Sequence, residues 1–95
     1  MTIYTAIVVD GDTGGEGRYD FEYDGDLMKH SPGTAVRTFM ESVDRDVLPT
    51  EHVDYELNAA MKNTAGTIVT ALGSLIRERD GAVPFMMMIA EKQGP

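Results

Sequence analysis

Apolar and polar positions in the first quarter of the chain follow the pattern of two β-strands. The segment Ile3–Val9 is apolar on both faces of an extended chain, which predicts a central strand covered on both sides. The segment Arg18–Asp24 alternates aromatic residues with carboxylates, which predicts a half-buried strand. Because residues 10–17 between them are rich in glycine, we expect a turn that joins the two strands in a hairpin.

A helix is predicted from Ser31 onward. Ser31 supplies an N-cap acceptor, and Pro32 suits the first helical position because its missing N–H has no helical partner there. Pro49 is expected to end the helix. Between them, apolar residues recur at three- and four-residue steps, which is typical of one buried helical stripe: Val36, Phe39, Met40, Val43 and Val47.

The second half of the chain leaves two arrangements open. The segment Val53–Met61 alternates like a strand, although its apolar residues also fit a helical stripe. The segment Thr67–Ile76 fits a helix by its apolar spacing, but Gly73 and several β-branched residues count against one. Val83–Ala90 is apolar on both faces and is expected to form a strand.

We therefore predict one domain over residues 1–95 with an α+β fold of two layers, in which a mostly antiparallel sheet carries one main helix on one face. The preferred order is ββαβββ, with hairpin turns at Asn63–Gly66 and Asp80–Gly81. The alternative order is ββαβαβ, with Thr67–Arg79 as a second helix. Six residues are expected to share the core: Tyr19, Phe21, Phe39, Val43, Tyr55 and Leu57.

Charge is concentrated in the first 56 residues, which hold thirteen Asp and Glu against four Lys and Arg, within a net charge of −8 for the chain. Such a field repels nucleic acids, phosphates and anionic membranes and attracts basic surfaces, so direct nucleic-acid binding is not expected. The absence of Cys excludes disulfides and thiolate chemistry and favours a reducing cytoplasm. The first residues do not have the pattern of a signal peptide, and no apolar run approaches the ~20 residues of a membrane span.

The residues offer one weak metal candidate and no catalytic constellation. Asp10, Asp12 and Glu16 have the spacing of the start of a calcium-binding loop, but Phe21 stands where a bidentate Glu is needed. A solvated hairpin loop is therefore the favoured interpretation. The two histidines, His30 and His52, lie on either side of a predicted helix ~24 Å long. We expect neither an enzyme nor a cofactor.

A helix on one face leaves the other face of the sheet to be explained. Strand alternation assigns carboxylates and apolar side chains to it, and these are the predicted partner-binding residues: Asp20, Glu22, Asp24, Asp54, Glu56, Met86 and Met88. An apolar strip bordered by carboxylates is typical of a protein-binding surface.

These features lead to a functional hypothesis with two alternatives. We expect a non-enzymatic interaction module, specifically an acidic inhibitor or decoy that occupies a basic, nucleic-acid-binding-type surface of a partner protein. Small acidic inhibitors made by phages offer an analogy of size and charge only. The alternatives are a homo-oligomer, such as a homodimer, in which a second copy covers the apolar face, and a small-ligand-binding domain.

Overall fold

The computed structural model describes residues 1–10, 16–46, 54–77 and 81–92. Within these ranges, five strands, a short 3₁₀ helix and one α-helix follow one another in the order ββαβββ, apart from the 3₁₀ helix that precedes α1. In chain order the elements are β1 Thr2–Asp10, β2 Glu16–Tyr23, the 3₁₀ helix Leu27–Lys29, α1 Pro32–Asp46, β3 Asp54–Lys62, β4 Ile68–Arg77 and β5 Gly81–Glu91.

The strands form one antiparallel sheet in the order β2-β1-β5-β4-β3. The two-layer α+β fold and the β1–β2 hairpin are confirmed, and the alternative with a second helix is wrong. Ile68–Arg77 is a strand because β3 and β5 pair with it on both sides, and such tertiary pairing outweighs a helix-like spacing of apolar residues.

Gly73, which counted against a helix, is required by the packing of the sheet. A Cβ atom at this position would collide with the backbone oxygen of Glu56 and lie 3.0 Å from the ring of Phe85. The close approach occurs beside an irregularity in β3, where the register shifts between Leu57 and Ala59. Only a residue without a side chain allows β3 and the Phe85 ring to come this near.

Local capping explains where α1 begins. The Ser31 hydroxyl accepts a hydrogen bond from the backbone N–H of Thr34 at 3.3 Å, as expected for an N-cap followed by Pro32. The predicted stripe is confirmed at Val36, Phe39 and Met40, which are buried. The side chain of Val43 lies outside the described part of the chain, as do Val47 and Pro49.

The turn predicted at Asn63–Gly66 is confirmed. The Gly66 N–H donates to the Asn63 carbonyl at 2.9 Å, and Gly66 has a φ of 72°, which glycine adopts without steric cost. The Asn63 side chain also accepts hydrogen bonds from the N–H groups of Thr67 and Ile68. The second predicted turn includes Asp80, which lies outside the described residues.

The core lies between α1 and the sheet, and no charged side chain is buried in it among the described residues. Tyr4 is 1% exposed, and its hydroxyl accepts the Leu27 N–H at 2.9 Å and donates to the Gly25 carbonyl at 3.3 Å. Tyr4 thus provides hydrogen-bond partners for backbone groups in the connection between β2 and α1, and it fixes that connection to the sheet.

The predicted core is correct in its centre and wrong at its margins. Phe21 and Phe39 are buried, with ring centroids 5.5 Å apart, and Tyr55 packs partly buried against the core. Tyr19 and Leu57 are 38% and 37% exposed. They lie on β2 and β3, the outer strands of the sheet, where a neighbouring strand shields a side chain from one side only. The core residues outside the predicted six belong mainly to the central strands and the 3₁₀ helix: Tyr4, Ala6, Leu27, Met87 and Ile89.

Candidate docking face

One face of the sheet packs against α1; we call the opposite one the open face. Alternate residues of a strand point to opposite faces, and in β5 the burial pattern alternates accordingly. The pairing register then assigns each strand's residues to the open face: Arg18, Asp20 and Glu22 of β2; Ile3, Thr5, Ile7 and Val9 of β1; Ala82, Pro84, Met86, Met88 and Ala90 of β5; Ile68, Thr70, Leu72, Ser74 and Ile76 of β4; and Asp54, Glu56, Ala59 and Met61 of β3.

Apolar side chains occupy the middle of the open face. Two neighbouring rows of paired residues, read from β4 across β5 to β1, are Leu72–Met86–Val9 and Thr70–Met88–Ile7. Eight large apolar side chains of this face are between 37% and 58% exposed: Ile3, Val9, Met61, Ile68, Leu72, Ile76, Met86 and Met88. A contiguous apolar area of this kind marks an interaction site more often than scattered surface residues do.

The expectation that β1 is covered on both sides is wrong for the open face. Tyr4 and Ala6 are buried on the α1 side of the sheet, whereas Ile3 and Val9 on the other side of the strand are exposed. The same contrast holds in β5, where Met87 is buried between two exposed methionines. The chain is apolar on both faces of these strands, and α1 covers one of them.

The irregularity in β3 changes which residues reach the open face. Simple alternation placed Ala59 and Met61 on the same face as Tyr55 and Leu57. The register shift between Leu57 and Ala59 adds one unpaired residue, Asn58, and such a β-bulge moves every later residue to the opposite face. Met61, which is 58% exposed, therefore joins the open face.

The predicted partner-binding carboxylates do not lie together. Asp20 and Glu22 belong to β2, whereas Asp54 and Glu56 belong to β3, at the other edge of the sheet. The two edges of the sheet are four strand spacings apart, which is ~19 Å. The two carboxylate pairs are also offset from each other along the strand direction by ~20 Å. The strand order places these pairs at opposite corners of the open face, so they border its apolar middle from two sides and do not form one acidic surface. Asp24 follows β2 and is exposed.

The carboxylate of Asp20 is engaged within the chain. The Lys92 ammonium lies 2.8 Å from it, and the Thr5 hydroxyl donates to it at 2.8 Å. These hydrogen bonds, first that from Lys92 and then that from Thr5, hold the pKa of Asp20 below its ordinary value of 3.8. At the other corner, Glu56 is exposed beside Ser74 of β4.

A shallow depression of ≈ 380 Å³ opens in the open face, and among the described residues its lining consists of Val9, Asn58, Leu72, Gly73, Pro84, Phe85 and Met86. It lies beside the bulge in β3, at Gly73 and Pro84. Among the described residues, the pairing of β1 with β5 extends to Phe85, and Pro84 pairs with Ser74 of β4. The described part of this lining is apolar apart from the Asn58 amide and backbone groups.

The sequence pattern indicated apolar residues of β1 and β5 on this face, including Met86 and Met88, but not those of β3 and β4. Leu72, Ile68 and Ile76 were part of a segment whose strand and helix patterns were nearly balanced. The signal that could have found them is their two-residue spacing, since it becomes informative once the segment is assigned to a strand.

The described residues contain no group of three or more His, Asp or Glu that could hold a metal ion. The calcium candidate stays a prediction, because Asp12 and the side chains of Asp10 and Glu16 lie outside the described part. His30 makes a hydrogen bond with the Tyr23 hydroxyl at 3.1 Å, and His52 is outside the described residues. Where the chain is described, no helix has the length and apolar character needed to cross a membrane.

Fold and surface together define a small two-layer α+β protein with one uncovered apolar sheet face. Comparisons with protein-family models, curated proteins and solved structures found no match to the chain.

Proposed function

We propose that the chain is a non-enzymatic protein-interaction module whose open face docks on a partner protein. The observation that carries this proposal is the exposure of eight large apolar side chains, at 37% to 58%, on one face of the sheet. The face measures roughly 24 by 26 Å from strand spacing and rise, or about 600 Å². That area approaches the ~800 Å² that each partner contributes to a stable interface.

In its specific form, the proposal is an acidic inhibitor or decoy that occupies a basic surface of its partner, of the kind that binds nucleic acids. The net charge of −8 supports this form, as do the carboxylates at two corners of the open face. Charges at the rim of an interface steer a partner of opposite sign, whereas buried apolar residues supply most of the affinity. We place this role in a reducing cytoplasm, because the sequence has no Cys.

A second candidate is a homo-oligomer in which another copy covers the open face. The apolar middle of that face favours it, since two sheets pack well face to face at a spacing of about 10 Å. The net charge of −8 on each copy opposes it, because a charge far from zero keeps proteins apart through mutual repulsion.

Two matched variants test the proposal. Leu72→Asp places a charge on the open face, and Leu57→Asp places the same charge on a leucine of similar exposure, 37% against 43%, that is on the α1 side of the sheet. Both variants and the wild-type chain would serve as bait in a lysate of the cells that express the protein. A captured partner would then be purified and its binding measured with purified components.

The proposal expects a partner with a basic surface that binds the wild type and the Leu57→Asp chain but loses affinity for Leu72→Asp. Circular dichroism checks that both variants fold. Equal binding to all three chains would contradict the proposal. Sedimentation equilibrium of the chain alone decides the second candidate: a dimer that Leu72→Asp dissociates would establish self-association in place of a separate partner.

A further inference from the structure

The depression in the open face has the shape and chemistry of a pocket for a single apolar side chain. It holds ≈ 380 Å³ and is walled by Val9, Leu72, Pro84 and Met86. The side chains of Val9, Leu72 and Met86 are themselves 38% to 54% exposed. An apolar group inserted between them would therefore remove both its own surface and theirs from water. Interfaces concentrate their binding energy where an anchor fills such a pocket.

Charge is placed asymmetrically around this depression. Glu56 is paired with Ser74, and Ser74 is paired with Pro84, so Glu56 lies two strands away from the Pro84 side of the depression. Two strand spacings are ~10 Å, which an extended peptide spans in about three residues. At the opposite corner, Lys92 and Thr5 already engage Asp20, and this favours Glu56 over Asp20 as the carboxylate that meets an anchored segment.

We propose that the depression takes the apolar anchor of a partner segment, a Leu, Met, Phe or Trp, and that Glu56 takes a Lys or Arg about three residues from that anchor. This inference rests on the proposed function, because it names what the partner presents to the open face. Charge complementarity selects a basic segment over a second copy, whose own net charge is −8. A small polar ligand fits less well, since Asn58 is the one polar side chain among the described residues of the lining.

The test uses short peptides selected from a randomised display library on the purified chain. The best peptide would be synthesised with two altered forms, one with the anchor replaced by Ala and one with the basic residue replaced by Glu. Binding would be measured to the wild type, Met86→Gln, Met88→Gln and Glu56→Gln. Met86 and Met88 form the matched pair, because both are exposed on the same face of β5 but only Met86 lines the depression.

Selected peptides should carry the anchor with its neighbouring basic residue. Met86→Gln should weaken binding by about tenfold or more, as removal of an anchor contact does, and Met88→Gln by no more than about threefold. Glu56→Gln should weaken it about two- to fivefold at low salt and hardly at all at high salt, as for an exposed ion pair. Replacement of the anchor by Ala should abolish the difference between Met86→Gln and the wild type.

Three results would overturn the inference, and they separate it from the proposed function. If Met86→Gln and Met88→Gln weaken binding equally, the anchor assignment fails while the docking face stands. If neither weakens binding of any selected peptide, the docking face fails as well. If no peptide is enriched and the chain sediments as a dimer that Met86→Gln dissociates, a second copy occupies the depression.

Discussion

The two faces of the sheet are built from the same strands and similar residues, yet their environments are opposite. On the α1 side, Val69, Phe85, Met87 and Ile89 are at most 3% exposed. On the open face, residues of the same two strands, such as Leu72 and Met86, are 43% and 54% exposed. The chain therefore has apolar side chains on both faces of the sheet, whereas α1 covers one face and leaves the other exposed.

This difference separates folding from binding. Burial of apolar surface stabilises the α1 side at about 25 cal/mol per Å², whereas the open face gains nothing comparable until another molecule covers it. Mutations on the first face should therefore change stability, and those on the second should change association. Four experiments test that division.

The largest effect is expected for a truncation in the core. Phe39 is 2% exposed and its ring packs against Phe21 and Tyr19, with centroids 5.5 and 5.8 Å away. Phe39→Ala should lower the free energy of unfolding by ~3–5 kcal/mol through lost burial and a cavity. The control, Leu72→Ala on the open face, should cost no more than ~1 kcal/mol. Urea unfolding of both variants gives the comparison, and similar losses would show that the two faces do not differ as described.

A smaller effect is expected where atoms are added to each face. Gly73→Ala would bring a methyl group against the Phe85 ring and the Glu56 backbone, and should destabilise the fold by ~1–3 kcal/mol. Thr70→Ile adds an apolar side chain to the open face, where Thr70 is exposed, and should stay within ~0.5 kcal/mol of the wild type. Thermal unfolding measures both. A neutral Gly73→Ala would mean that β3 does not approach β4 as closely as described.

Oxidation by dilute peroxide compares the faces without any mutation. Susceptibility to sulfoxide formation follows exposure, so Met61, Met86 and Met88 should react well before Met40 and Met87, which are 5% and 2% exposed. Sulfoxides make an apolar surface polar, and the oxidised chain should therefore bind its partner more weakly while keeping its fold. Peptide mapping by mass spectrometry gives the order of reaction. Equal rates for Met86 and Met87 would contradict the assignment of the faces.

The smallest effect concerns the β2 corner of the open face. Hydrogen bonds from Lys92 and Thr5 lower the pKa of Asp20 below 3.8, so the ionised form is favoured in the folded chain. The resulting stabilisation is present above the unfolded pKa and is lost as the pH falls through the folded one. Carboxyl NMR should show that Lys92→Met raises the titration midpoint of Asp20 towards 3.8. An unchanged midpoint would mean that the ion pair does not form in solution.

Much of the fold could be predicted from sequence because local signals agreed with it. The Ser31–Pro32 cap, the stripe of α1 and the alternation in β2 each specify an element without knowledge of its neighbours. The nearly balanced choice between strand and helix over Thr67–Ile76 could not be settled in this way. Its outcome depends on pairing with β3 and β5, which is a tertiary effect.

The candidate site was predictable in composition but not in arrangement. Met86 and Met88 were assigned to the uncovered face from alternation alone. The position of the carboxylates depends on strand order, which places β2 and β3 at opposite edges, and single-strand patterns hold no information on that order. Likewise, the bulge at Asn58 has no local signal in the sequence, yet it brings Met61 to the open face and borders the depression.

The most direct test of the docking face is the methionine methyl spectrum of the chain with its captured partner bound. Methyl groups labelled with ¹³C report on both faces at once, because Met61, Met86 and Met88 lie on the open face whereas Met40 of α1 and Met87 of β5 are buried in the core between α1 and the sheet. A soluble paramagnetic agent should broaden the three open-face resonances in the isolated chain, and the bound partner should protect them and leave Met40 and Met87 unchanged. Open-face methyls that stay accessible in the complex would contradict the account.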